Sequence, residues 1–217
     1  VVGNRYLKEH VEKWGMKKIA IVPTCIDMEK HTLKKEYPKH NNPVIIGWTG
    51  LHSNLGYLDT LKETLKKLST KYPIKLFVST NGTEYTMDGV DVEFEPWTFE
   101  KEIEYLQKPD IGLMPLIDTP RARGKCAFKA LEYMGVGTPV VISPVGMNAE
   151  VIEDGVHGFF ARTPEEWFEK LEILIKNPDL REEMGKKARQ RVIELYSFEA
   201  NYPKLKEFLL EIGKKQG

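Results

Sequence analysis

Cysteine is scarce in this sequence. Its 217 residues include two cysteines, Cys25 and Cys126, with neither a CxxC spacing nor paired histidines close by. A disulfide framework and a zinc site therefore have no support in the pattern. The simpler expectation is a protein of a reducing compartment.

Long apolar runs are also missing. No run approaches the ~20 residues that cross a bilayer, and residues 1–10 lack the charged-then-apolar order of a secretion signal. We expect a soluble, cytoplasmic chain, with any membrane association peripheral and made through another part of the protein. The sequence does not start with Met, and residues 1–4 read as the end of a strand, so we expect a fragment of a larger protein.

Neither sign of charge dominates. The 32 basic residues equal the 32 acidic ones, so the composition does not favour a nucleic-acid partner. No strand is followed by GxGxxG, which weakens a dinucleotide-binding oxidoreductase. A net charge of zero still allows a local cationic site. The candidate is the segment TPRARGKCA at residues 119–127, here called the basic loop, which contains Arg121, Arg123 and Lys125.

Short apolar segments do recur, and most are separated by helical patterns. They read PVIIGWTG, PIKLFVST, VDVEFEPW, DIGLMPL, TPVVIS and HGFFA. This alternation predicts an α/β fold in which a parallel sheet is wrapped by helices in three layers, as in Rossmann-like domains. After Ala161 the pattern is helical only, with helices expected to begin near Pro164, Pro178 and Ser197.

Local signals make finer predictions. Asn4 is a cap for a helix over Arg5 to Trp14, and residues 17–23 (KKIAIVP) suit a short strand. Residues 24–42 are polar and expected to be irregular. A leucine pattern predicts a helix across Leu55 to Leu68, and another helix is expected to start around Lys125.

Two loops follow predicted strands where ligands bind in parallel sheets. The first contains Gly50, Leu51, His52 and Ser53, where a glycine allows close backbone approach and the next helix favours an anion. A plain tight turn, with Ser53 or Asn54 capping the helix, is the alternative. The second is the basic loop, whose N–H groups and Lys125 suit a diphosphate.

Two charged residues stand apart from the apolar rows of the helix after the basic loop. Glu132 could accept both hydroxyls of a ribose if it faces the cleft. The alternative is that Lys129 and Glu132 form an exposed i, i+3 pair worth ~0.3 kcal/mol.

The segment KALEYMGVGTPVVISPVGMNAEVIEDGVHGFF resembles the donor-binding segment of retaining GT-B glycosyltransferases of family 4. VPTCID is similar to the domain-linking segment of that family, IGWTG to the first donor-domain strand, and DIGLMPL to the strand before the donor loop. The resemblance implies the C-terminal half of a GT-B fold. It implies transfer of a sugar, with retention and without a metal or other cofactor, from a nucleotide sugar such as UDP- or GDP-hexose.

The resemblance also implies roles for individual residues. Glu132 would bind the ribose, with Lys129 as a supporting residue, and Glu150 would steady the donor-site loops. The diphosphate would contact Gly50, Leu51, His52, Ser53, Arg121, Arg123, Lys125, Cys126, Ala127 and Phe128. The nucleobase would lie against Ser79, Thr80, Asn81 and Trp97, although Trp97 also suits a core position.

The sequence departs from the family pattern at two places. Gly124 stands where the family usually has a glutamate that contacts the donor sugar, and the usual Arg and Lys pair shortly after Gly50 is missing. We expect Lys125 to take the place of the missing glutamate. We expect Arg121, Arg123 or Lys125, or backbone N–H groups alone, to replace the Arg and Lys pair on the diphosphate. A nucleotide-sugar epimerase, a sugar phosphorylase and a non-catalytic nucleotide-binding module remain alternatives.

The expected domain organisation follows from the same resemblance. Residues 1–23 would belong to the end of an N-terminal domain, residues 24–195 would form the donor domain, and residues 196–217 would be a helix that packs back toward the N-terminal domain. The saccharide or lipid-linked acceptor and any general base would lie on that absent domain, so the fragment alone would be inactive. A role in polysaccharide, lipopolysaccharide or glycoconjugate synthesis is the family-level expectation.

Overall fold

Strands and helices alternate through most of the computed structural model, which describes residues 1–39 and 43–214. The strands are β1 Val44–Gly50, β2 Ile74–Thr80, β3 Val92–Pro96, β4 Ile111–Met114, β5 Val140–Ile142 and β6 Gly158–Phe160. The helices are α1 Arg5–Glu12, α2 Leu55–Asp59, α3 Lys62–Lys71, α4 Glu102–Gln107, α5 Pro120–Arg123, α6 Phe128–Gly135, α7 Asn148–Val151, α8 Pro164–Lys176, α9 Pro178–Leu195 and α10 Phe198–Gly213.

The strands form one parallel sheet in the order β3-β2-β1-β4-β5-β6. Each of the six apolar segments contributes one of these strands, which confirms the predicted Rossmann-like α/β fold. The order reverses direction between β1 and β4, because the chain first winds outward through β2 and β3 and then returns to the other side of β1. Ligands of such sheets bind at the carboxyl ends of the strands beside this switch point.

Two apolar clusters cover the two faces of the sheet. On one face, Ile46 and Trp48 of β1 pack with residues of α3 and α8 such as Leu65 and Leu171. On the other face, the fully buried Tyr133 of α6 lies against the small residues Gly47 and Gly112. The helices are therefore divided between the faces, which gives the three layers that the pattern predicts.

Several helix caps follow the sequence prediction. The side chains of Thr163 and Ser197 accept hydrogen bonds from the first turns of α8 and α10, and Asn4 does the same for α1. Such side chains satisfy N–H groups that have no partner within the helix.

Other local predictions are wrong. Residues 17–23 do not form a strand: Ile21 makes one isolated bridge, to Val2. The single helix predicted from Leu55 to Leu68 is two helices, α2 and α3, with a break after Asp59. The prediction missed this break because the apolar spacing continues across it. No helix or strand lies within residues 24–39, as expected, and residues 40–42 of that irregular segment lie outside the described residues.

The first residues and the last helix lie close together. Lys18 Nζ is 2.6 Å from Glu211 Oε1 of α10, and backbone hydrogen bonds join Ile26 to Tyr196 and Phe198. The domain boundaries at residues 23 and 195 stay a prediction. The end of the predicted terminal segment, residues 215–217, lies outside the described residues.

Close packing of α9 depends on a glycine. A Cβ at Gly185 would overlap the carbonyl oxygen of Gly137, which is main chain and cannot rotate away. We expect Gly185→Ala to lower the free energy of unfolding by about 2 kcal/mol, although alanine is the better helix former by about 1 kcal/mol. Urea unfolding measures the change. Gly213→Ala is the control because no atom lies within 4 Å of its added methyl, and an equal effect of both variants would contradict the packing argument.

Candidate functional site

The two candidate loops meet at the switch point of the sheet. The first follows β1, and the basic loop lies between β4 and α6. Unlike the loop that the sequence predicts, the basic loop is not wholly irregular, because Pro120–Arg123 form the short helix α5, capped by Thr119. Lys125 of the basic loop reaches across, with Nζ 3.3 Å from Asn54 Oδ1 and 5.1 Å from the centre of the Tyr57 ring. Segments that are 71 residues apart in the chain thus form one site.

Lys125 carries a positive charge that the described part of the chain does not neutralise. It forms no salt bridge there, and burial, followed by repulsion from Arg121, lowers the pKa of its ammonium group. Arg121 likewise has no ion-pair partner among the described residues. A bound anion would relieve the repulsion and stabilise the charged lysine.

Arg123 differs from its two basic neighbours. It forms a bidentate pair with Asp118, with distances of 2.6 and 2.9 Å. The pair lowers the pKa of Asp118 and is exposed to solvent. Of the three basic residues predicted for the diphosphate, Lys125 and Arg121 are therefore the ones without a carboxylate partner among the described residues.

Helix α6 begins later than the sequence indicates. Its first residue is Phe128 instead of a residue near Lys125, and the Lys125 N–H is already bonded to the Ala122 carbonyl. Ala127 precedes the helix in the left-handed region, at φ 53° and ψ 22°, and no side chain caps the first turn. The N–H groups after Ala127 thus lie at an uncapped helix N-terminus, which attracts anions.

The conformation of Ala127 is a strained one. Within the described ranges, Ala127 is the one residue other than glycine with a positive φ. Alanine has no polar side chain that could offset the energetic cost of this backbone conformation by a local hydrogen bond. Strain of this kind costs about 1–3 kcal/mol and concentrates at ligand-binding sites. Its residue type contains no signal from which the sequence could have predicted this conformation.

Glu132 is buried, not an exposed partner of Lys129. The residue is 1% exposed, while the Lys129 side chain is 28% exposed. Lys129 Nζ lies 2.7 Å from Glu132 Oε2, but this oxygen receives no aligned hydrogen bond from the described residues. Burial raises the pKa of Glu132 to about 7 against the opposing effect of Lys129. The interpretation as a weak surface pair is therefore wrong, and an unsatisfied carboxylate oxygen suits a ligand hydroxyl.

The first loop is engaged by its own neighbours. A Cβ at Gly50 would lie 2.7 Å from the Trp48 ring. Packing against this indole is therefore enough to explain a glycine here, with or without a ligand. The His52 N–H donates to Asn81 Oδ1 at 2.9 Å, and Leu51 and Ser53 are exposed. Neither Ser53 nor Asn54 caps the helix with its side chain, so the capping alternative is wrong.

The residues predicted for the nucleobase lie at the ends of β2 and β3. Ser79 and Thr80 are buried, and Ser79 Oγ has no hydrogen-bond partner among the described residues. Trp97 is 37% exposed, and its backbone N–H donates to the Thr80 carbonyl at 3.0 Å. The alternative that Trp97 is a core residue is wrong, because it follows an edge strand whose outer side is open.

Glu150 lies on α7 with its side chain turned toward α1. Its Oε2 is 3.8 Å from Arg5 Nε, and both side chains are largely exposed. The backbone carbonyl of Glu150 accepts hydrogen bonds from Arg191 and Tyr196. These contacts attach α7 to its neighbours through main chain, while the Glu150 carboxylate contacts no residue of the basic loop.

The described residues contain neither a cluster of metal ligands nor a helix suited to cross a membrane. In residues 1–39 and 43–214, no three His, Cys, Asp or Glu side chains are placed to hold a metal ion. In the same ranges, no helix is both long enough and apolar enough to cross a membrane.

Comparison with known proteins agrees with this geometry. The family model described as Glycosyl transferases group 1 matches residues 43–177, which include every strand of the sheet. The chain belongs to the group 1 glycosyl transferases. This confirms the family that the segment from Gly124 to Gly158 predicts, whereas membership of family 4 stays a prediction.

Relatives of this group 1 glycosyl transferase chain are distant and longer. A trehalose synthase of Pyrococcus horikoshii is 24% identical over 152 residues, which cover 70% of this chain and 32% of the relative. Sucrose-phosphate synthase from Thermosynechococcus elongatus superposes with a TM-score of 0.80 at 14% identity, over 99% of this chain and 58% of the other. Anabaena Alr3699/HepE in complex with UDP-glucose gives 0.76 at 12% identity, over 97% and 63%. The chain thus spans about a third of its curated relative, and the structural likeness concerns the fold.

Proposed function

We propose that this group 1 glycosyl transferase chain binds the nucleotide-sugar donor at the carboxyl ends of β1 and β4. The observation that carries the proposal is that one helix, α6, has an uncapped N-terminus next to Lys125 and also carries the buried carboxylate of Glu132. The Oε2 atom of this carboxylate accepts no aligned hydrogen bond from the described residues. These groups match the two polar parts of a nucleoside diphosphate. The N–H groups and Lys125 would hold the diphosphate, and Glu132 would accept the ribose hydroxyls.

The same groups would also support transfer chemistry. Sugar transfer leaves negative charge on the departing nucleoside diphosphate, and fixed N–H dipoles with a lysine stabilise that charge without reorganising. We propose a retaining, metal-independent hexosyltransferase, because the sequence resembles retaining GT-B enzymes. Lys125 and Arg121 would supply the positive charge for the diphosphate, since no carboxylate neutralises them in the described part of the chain. The acceptor, saccharide or lipid-linked, and the general base would be supplied by an N-terminal half, so the isolated chain would bind donor without transferring sugar. A role in polysaccharide or glycoconjugate synthesis belongs to the same proposal.

The base would lie near the ends of β2 and β3. The support for this is that Asn81 links the ends of β1 and β2 through His52, while Trp97 is exposed next to them. An exposed indole offers a stacking surface to a planar base. UDP is a reasonable first probe, because a UDP-glucose complex is named for one structural neighbour.

Thermal unfolding with a panel of UDP-, GDP- and ADP-sugars tests the proposal. A donor present at about 100 times its Kd stabilises the folded state by about 2.7 kcal/mol, which corresponds to a rise in Tm of roughly 5 °C or more for a chain of this size. Glu132→Ala should abolish the rise, whereas Glu183→Ala, an exposed glutamate of α9, should retain it. A panel without any rise in Tm would refute donor binding.

A further inference from the structure

The two polar atoms of the Asn4 side chain have separate partners. Asn4 is 3% exposed, and its Oδ1 accepts a hydrogen bond from the Leu7 N–H at 2.8 Å, which caps α1. Its Nδ2 donates to the carbonyl of Lys125 at 3.0 Å and to that of Arg123 at 3.4 Å. One side chain therefore joins residues at the beginning of the chain to the basic loop, 121 positions away.

The packing around these hydrogen bonds is close at two glycines. A Cβ at Gly3 would overlap Cys126 Sγ. On the other side of the loop, Gly146 adopts φ 55°, and a Cβ there would lie 2.6 Å from the Arg123 carbonyl oxygen. The backbone of residues 123–126 is thus held between the start of α1 and Gly146.

The next residue is the strained one. Ala127 adopts the left-handed conformation directly after this segment and sets the direction of the first turn of α6. A strained conformation persists where its surroundings over-determine it. The hydrogen bonds from Asn4 Nδ2 fix the two carbonyls that precede Ala127 by two and four positions, so they contribute to that constraint.

We propose that Asn4 is a positioning residue for the diphosphate site. It sets the backbone of the basic loop and thereby aims Lys125 and the first N–H groups of α6 at the distal phosphate. This inference rests on the proposed donor-binding function. Asn4 itself would touch no part of the nucleotide, because both of its polar atoms already bond to the protein.

Asn4→Asp separates the two roles of the side chain. Aspartate caps a helix as well as asparagine does, but it cannot donate a hydrogen bond and would place its charge against two carbonyls. In the 217-residue chain, calorimetry uses whichever of UDP, GDP and ADP the wild type binds. This diphosphate should bind to Asn4→Asp roughly tenfold more weakly than to the wild type. The matching monophosphate, which lacks the distal phosphate, should change by less than about twofold.

Further variants control for stability. Asn4→Ser keeps a neutral cap with a shorter side chain and should weaken diphosphate binding in the same way, without the new charge. Thr163→Ala removes the corresponding cap of α8 and should lower Tm while leaving nucleotide affinity unchanged. Amide hydrogen exchange at residues 123–130 should accelerate in both Asn4 variants and not in Thr163→Ala.

The outcomes distinguish the two levels of the proposal. If the wild type binds none of UDP, GDP and ADP, the proposed function fails and this inference fails with it. If the wild type binds and both Asn4 variants bind equally well, with unchanged hydrogen exchange in the basic loop, the positioning role alone is overturned. An equal loss for the diphosphate and the monophosphate would also overturn it, since that result indicates general damage to the domain.

Discussion

Glu132→Gln should raise the stability of the chain at pH 8 and leave it unchanged at pH 4 and below. Burial raises the pKa of this carboxyl from its ordinary value of 4.5 to about 7. Below pH 4.5 the group holds its proton in both the folded and the unfolded chain, so it does not distinguish them. As the pH rises toward 7 the unfolded chain releases the proton first, and the free energy of unfolding falls by about 3 kcal/mol. Glutamine never ionises and avoids that loss.

Urea unfolding of both chains between pH 4 and pH 8 measures this difference. Other titrating groups cancel when the wild type and the variant are compared at each pH. Glu183→Gln, on the exposed side of α9, is the control and should follow the wild-type curve. If the free energy of unfolding changed with pH in the same way for the wild type and Glu132→Gln, burial of the carboxylate would not destabilise the folded chain.

The same substitution should weaken nucleotide binding. A carboxylate can accept hydrogen bonds from both ribose hydroxyls, while an amide has one accepting oxygen. Hydrogen bonds to charged groups contribute about 1.5–3 kcal/mol, so we expect a Kd for the nucleoside diphosphate roughly 30-fold higher. A variant that is more stable but binds less well would explain why the domain retains a costly buried carboxylate.

Lys125→Met should weaken binding of the diphosphate more than any other single substitution in the basic loop. Methionine keeps much of the apolar stem and removes the charge that stands near Asn54 without a carboxylate partner in the described ranges. Loss of a charge-assisted contact in a half-buried site costs about 2–3 kcal/mol, which corresponds to roughly a 100-fold rise in Kd. Calorimetry with the nucleotide that the wild type binds gives this value directly.

Two control variants test whether the loss of affinity is specific to Lys125. Lys66→Met removes an exposed charge of α3 that pairs with Asp88, and it should leave the Kd unchanged. Arg123→Ala should have a small effect, because Asp118 already neutralises that guanidinium. A larger loss for Arg123→Ala than for Lys125→Met would reverse the assignment of the diphosphate contacts.

The strand and helix succession could be predicted because its causes are local. Apolar runs such as PIKLFVST and cap residues such as Thr163 act within a few positions of the chain, and the structure has β2 and α8 where these signals place them. The errors also have a local cause. Residues 17–23 are as apolar as a strand, but Ile21 makes only an isolated bridge with Val2 in place of a full partner strand.

The sequence predicts which loops form the candidate site, but not how their side chains contact each other. The segment from Gly124 to Gly158 is enough to identify the family, and both candidate loops follow predicted strands, where ligands of parallel sheets bind. Whether Glu132 is an exposed ion pair or a buried carboxylate could not be predicted, because its burial depends on what packs over α6. The sequence pattern predicts at most a helix cap for Asn54, whereas its side chain accepts a hydrogen bond from Lys125 of the basic loop.

The sequence by itself determined the order of strands and helices, the parallel sheet and the family, since each depends on patterns a few residues long or on a contiguous motif. Only the tertiary structure decided the left-handed turn at Ala127, the raised pKa of Glu132 and the contact of Asn4 with the basic loop. These features depend on groups brought together from distant parts of the chain. Their energies come from burial and close packing, which no local pattern encodes.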